Sequence, residues 1–81
     1  MTALIEKIEN DDFWQRGRHG CWHRQISPTV RVDFWIASNL FVVKRINKRG
    51  EWVTAPNGTH KADIDRALHH AEVLAMREAT T

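Results

Sequence analysis

The chain has a single cysteine, Cys21, so no internal disulfide can hold it together, a usage that fits a reducing compartment. It has no apolar stretch near the ~20 residues that a membrane-spanning helix needs. The opening MTALIEKIENDD is acidic and too short in apolar run for a secretory leader, so a soluble cytoplasmic protein is expected. No glycine-rich phosphate loop, internal repeat or low-complexity tract is present, which removes nucleotide-cradle and solenoid readings. Tyrosine is absent, and the aromatic content is carried by Trp14, Trp22, Trp35, Trp52 and three phenylalanines. Four indoles in 81 residues suit a small core that needs much area per side chain, and equally suit an interface. At this length one domain spanning 1–81 is expected, with a thin core.

Acidic charge is scarce in the middle of the chain. Residues 13–49 carry Arg16, Arg18, Arg24, Arg31, Lys44, Arg45, Lys48 and Arg49 against one acid, Asp33. The flanks, 1–12 and 50–81, are acidic on balance, and the whole chain is only +2. A basic centre on a nearly neutral protein points to a directed surface that meets an anion or an acidic partner.

The pattern predicts an α+β fold: a three- to four-stranded antiparallel sheet over 21–55, with a C-terminal helix over 60–79 on one face and an N-terminal segment over 1–12. Thr2 to Asn10 suits a short helix capped by Thr2, with Leu4, Ile5 and Ile8 on one face; a strand is the alternative. Gln15 to Gly20 reads as loop. Cys21 to Ile26 reads as an edge strand ended by Ser27-Pro28. Val30 to Ala37 alternates strictly, with Val30, Val32, Phe34 and Ile36 on one side and Arg31, Asp33 and Trp35 on the other. Ser38-Asn39 predicts a two-residue turn, and Leu40 to Asn47 a central strand. Asn47 to Gly50 makes a second turn. Glu51 to Ala55 makes another strand, ended by Pro56-Asn57-Gly58. Thr59 is the expected helix cap, and Ile64, Ala67, Leu68, Ala71, Leu74 and Ala75 form the stripe that would pack on the sheet.

His19, Cys21 and His23 place three metal-ligating types at alternate positions. In a straight strand the outer two lie ~13 Å apart at ~3.3 Å per residue, so all three cannot share one ion, although an adjacent pair at i and i+2 can. A kink at Gly20 with Asp11 or Asp12 is the alternative, and a polar strand face beside a buried thiol is the plain reading. No metal or cofactor is expected. A Cys21–histidine dyad lacks an oxyanion-hole signature, so no enzyme activity is expected. His69 and His70 point about 100° apart on a helix and read as solvated surface. Val73 and Met76 fall off the apolar stripe, either covered by Leu4, Ile5 and Ile8 or available for docking.

The candidate partner-binding residues are Arg31, Trp35, Lys44, Arg45, Lys48 and Arg49. If the helix covers the Val30–Ile36 face, Trp35 lies on the opposite one beside Arg31, unless the N-terminal segment closes that face. Lys44, Arg45, Lys48 and Arg49 crowd a hairpin tip, where exposed cations also serve as edge protection.

The strand–turn–strand–turn–strand–helix order from Val30 to Ala79 resembles the plant AP2 domain and the arm-type DNA-binding domain of phage integrases. In those families a three-stranded sheet enters the major groove, which would give Arg31, Trp35 and Arg45 contact positions. The families' Gly-Val-Arg and Trp-x-Ala-x-Ile motifs are absent, so the resemblance is one of topology. In size, tryptophan content and polarised charge the whole chain also resembles small phage or mobile-element accessory proteins of the anti-CRISPR type. That resemblance implies a non-enzymatic inhibitor, in a bacterial host's cytoplasm, of a nucleic-acid-handling complex, acting by steric protein contact. The alternative is a sheet-based DNA-binding domain.

Overall fold

A computed structural model describes residues 3–80. The order is α1 (Ala3–Glu9), β1 (Gln15–Arg16), β2 (Cys21–Ser27), β3 (Val30–Trp35), β4 (Leu40–Ile46), β5 (Trp52–Lys61) and α2 (Ile64–Ala79). The five strands form one antiparallel sheet in sequence order, β1-β2-β3-β4-β5. The α+β class is as expected, with α2 packed on one face and α1 at the N-terminus. Thr2, the expected cap of α1, lies outside the described residues.

Val30, Val32 and Phe34 of β3 are buried beneath α2, joined by Phe41 and Val43 of β4 and Ala55 of β5. Phe34 stacks on Phe41 with centroids 4.5 Å apart, and Trp14 meets Phe41 edge-on at 6.0 Å. Ala67 and Ala71 are fully buried on α2, where small side chains let the helix lie close on the sheet. Leu4, Ile5 and Ile8 of α1 join this same core, so the N-terminal segment closes the helix side and leaves the far sheet face uncovered among the described residues. Met76 stays 70% exposed, so the cover reading fails for it.

Several boundaries differ from the expectation. Gln15–Arg16 is a strand, because Gln15 pairs with His23 and Arg16 with Trp22. Thus β2 is flanked on both sides along part of its length and is not a simple edge. β3 stops at Trp35, and a four-residue turn over 36–39 replaces the two-residue one, with Asn39 at φ 53. The turn over 47–50 forms as read: Gly50 takes φ 81, and Asn47 Oδ1 accepts from the amides of Arg49 and Glu51.

Pro56-Asn57-Gly58 does not end β5; the strand absorbs it as an irregularity. Val42 pairs with Thr59 and Lys44 with Thr54, so five steps of β5 run past two steps of β4. Proline is tolerated there because β5 is an edge strand. Asn57 takes φ 56, and a Cβ on Gly58 would fall 2.7 Å from the Val43 carbonyl oxygen. Because β5 consumes residues through Lys61, Thr59 cannot cap α2. Asp63 does so, accepting from the Arg66 amide at 3.0 Å.

Candidate functional site

Strand parity and register decide what the uncovered face displays. Cys21 pairs with Trp35, His23 with Asp33 and Gln25 with Arg31 across β2–β3. Arg31 pairs with Lys44, Asp33 with Val42 and Trp35 with Leu40 across β3–β4. Ile46 pairs with Trp52 and Leu40 with Lys61 across β4–β5. These residues share the face opposite α2.

At its centre sits Asp33, 1% exposed and the only buried charged residue in the described chain. His23 Nδ1 lies 2.7 Å from its Oδ1, and Lys44 Nζ lies 3.6 Å from Oδ2. The Arg31 terminal nitrogen donates to Oδ2 at 3.4 Å, and Arg31 Nε lies 3.1 Å from Oδ1 without its N–H in line. The Arg31 guanidinium also lies 4.6 Å over the Trp52 ring. A buried carboxylate thus holds two cations flat against the sheet, and one of them rests on an indole. Trp35 stands beside this cluster, 36% exposed.

The six expected contact residues do not form one patch. Arg31, Trp35 and Lys44 share the uncovered face. Arg45 projects to the other side, where its Nε lies 3.4 Å from Glu78 Oε2, and Glu78 also accepts from Thr29 Oγ1 at 2.7 Å. That pairing ties the last turns of α2 to the sheet. Lys48 and Arg49 lie exposed on the β4–β5 turn. A shallow groove lined by Thr29, Arg45, Ile46, Asn47, Lys48 and Glu78 lies at that end of the sheet.

His19 takes φ 58 in the turn before β2 and is exposed, away from the strand geometry that places Cys21 and His23 on one face. Asp33, not His19, completes a set of three potential ligands: one donor atom each from Cys21, His23 and Asp33, all within 4.8 Å of one another. Sequence reading missed Asp33 because its partners in the set, Cys21 and His23, lie on the neighbouring strand β2 and meet it only through strand register. Cys21 is 2% exposed, and its thiol is pushed up to about 11, chiefly by burial and next by the Asp33 charge. Its sulfur lies 3.9 Å from the same His23 Nδ1 that contacts Asp33. A nucleophilic relay needs the two ring nitrogens on different partners, which this arrangement does not provide.

A histidine pair also escaped the sequence reading. His60 of β5 and His70 of α2 meet at 3.0 Å, so His70 is not plain solvated surface. No helix of the described residues is long and apolar enough to cross a membrane. Comparison with family models, curated proteins and solved structures finds no match.

Proposed function

We propose that this protein is a non-enzymatic binding module that docks its uncovered sheet face on an acidic protein surface, in the role of a phage or mobile-element inhibitor of a host nucleic-acid-handling complex. The observation that carries the reading is a sheet face without a covering layer among the described residues, displaying Trp35, the Arg31–Trp52 stack and Lys44 on one side of the sheet. Tryptophan and arginine are the favoured anchors of protein interfaces, and their burial there supplies affinity. Lys48 and Arg49 at the hairpin tip would add steering and association rate. Inhibition would be steric, by occupation of a surface the complex needs. Size and polarised charge support the inhibitor setting.

The posture of the cations favours protein over duplex DNA. Arg31 and Lys44 are folded back on Asp33, about a quarter exposed, which shortens their reach toward phosphates in a groove. The test is capture from bacterial lysate by the tagged chain, with and without nuclease, followed by reconstitution with the purified partner. A direct complex should survive nuclease. Trp35→Ala should weaken it by roughly 30-fold or more, a hot-spot loss of about 2 kcal/mol, and leave the fold intact. Retention on duplex DNA instead, falling by ~0.9 log unit per neutralised phosphate as salt rises, would replace this reading with DNA binding.

A further inference from the structure

We propose that Cys21 Sγ, His23 Nδ1 and Asp33 Oδ1 bind one zinc-class divalent cation on the uncovered sheet face, with water in the fourth position. A thiolate, an imidazole and a carboxylate are the three donor types zinc accepts, and three protein ligands plus one open position is a common zinc arrangement. The donors sit on paired strands rather than loops: Cys21 and His23 are at i and i+2 of β2, and Asp33 is the register partner of His23. Tetrahedral zinc sets its ligand atoms roughly 3.4–3.6 Å apart. Two of the separations, 2.7 Å from His23 Nδ1 to Asp33 Oδ1 and 3.9 Å from Cys21 Sγ to His23 Nδ1, bracket that value, and all three donors lie within 4.8 Å of one another.

The surroundings orient the ligands. A Cβ at Gly17 would fall 2.3 Å from His23 Nε2 and 2.6 Å from Cδ2, so the absence of a side chain there makes the berth for the imidazole. Lys44 and the Arg31 terminal nitrogen hold Asp33 Oδ2, which leaves Oδ1 turned toward His23. Arg31 Nε approaches Oδ1 out of line, a weak contact that the cation would displace. On binding, the cation replaces the thiol proton, which leaves to solvent as the sulfur–metal bond forms, and the His23 ring proton passes from Nδ1, where it faces Asp33 Oδ1, to Nε2 so that the Nδ1 lone pair is free to ligate. Thiolate and carboxylate then neutralise the two charges of the ion. The face as a whole gains one positive charge, and β2 is cross-linked to β3 in a chain that has no disulfide.

The test uses the full chain, reduced and stripped of metal, titrated with cobalt(II) and then zinc. One equivalent of cobalt should produce a thiolate-to-cobalt charge-transfer band with four-coordinate visible absorption. Zinc should abolish both, and one equivalent of zinc should raise the melting temperature. Cys21→Ser should lose the charge-transfer band, and His23→Gln should weaken binding at least about 10-fold while Asp33 keeps Arg31 and Lys44. Circular dichroism of each variant separates lost binding from lost fold. The proposal is overturned if the wild-type chain gives no thiolate band, or if the folded Cys21→Ser variant binds zinc as tightly as wild type. No partner is needed, so this outcome is independent of the docking reading.

Discussion

His60 near the end of β5 and His70 in α2 share one hydrogen bond, Nε2 to Nδ1 at 3.0 Å, with their rings nearly perpendicular. One ring must donate and the other accept, so the contact requires a neutral acceptor nitrogen. The pair lies where the helix meets the sheet, since His60 is the register partner of the buried Phe41.

Protonation of the accepting ring therefore opposes this junction. Burial, then the neighbouring His70 and Arg66, lower the His60 pKa from its ordinary value of 6.5, and Asp63 works against them. A group whose folded pKa is depressed leaves the unfolded chain with more bound protons, so stability rises with pH in that window. The contribution is complete above pH 6.5 and is lost as pH falls from there through the folded pKa. Urea unfolding between pH 7.5 and pH 5 should show this loss, and His60→Gln should flatten it. An unchanged profile in that variant would remove His60 from the account.

Asp33 neutralises Arg31 and Lys44 from a fully buried position. Asp33→Asn should destabilise the fold by about 2–3 kcal/mol. That is below the roughly 3–5 of a fully buried pair, because both cations can turn toward water on an uncovered face. Chemical denaturation checks the value. A loss under about 0.5 kcal/mol would mean the cluster holds little of the sheet together.

Gly58 meets backbone on two sides: an added Cβ would lie 2.7 Å from the Val43 oxygen and 2.8 Å from the Ala55 oxygen. Neither carbonyl can rotate away as a side chain would. Gly58→Ala should lose at least about 2 kcal/mol and should perturb amide signals of Val43 and Ala55 first. Gly50→Asn, at a turn position open to solvent, should be tolerated far better.

The Cys21 thiol, with its pKa pushed up to about 11, should be a poor nucleophile in the metal-free fold. At pH 8 its alkylation should run roughly 100-fold slower than in the unfolded chain. The rate should climb about tenfold per pH unit toward pH 11. Fast labelling in native buffer would contradict both the burial and the charge assignment.

Much of the scaffold was legible in the residues. The alternation of Val30, Val32 and Phe34 with Arg31, Asp33 and Trp35 announced β3 and its two faces. The stripe from Ile64 to Ala75 announced α2, and Asn47 to Gly50 announced the turn between β4 and β5. The misreadings share a cause. Gln15–Arg16 carries no strand signal of its own and is extended only because β2 offers it a partner. Pro56-Asn57-Gly58 reads as a stop by local propensity, yet an edge strand bound to β4 on both sides of the irregularity carries through it. Thr59 and Asp63 are both good caps, and the length of β5 chose between them.

By itself the sequence determined the class of fold, the inward faces of β3 and α2 and the concentration of positive charge in the central third. Those properties follow from periodicity and composition, which act between near neighbours. Only the tertiary structure decided that Arg31, Lys44, His23 and Cys21 converge on Asp33, that Arg45 turns away to Glu78, and that both helices pack on one side. Such meetings depend on strand register and layer order, and a one-residue slip would have sent every one of these side chains to the opposite face.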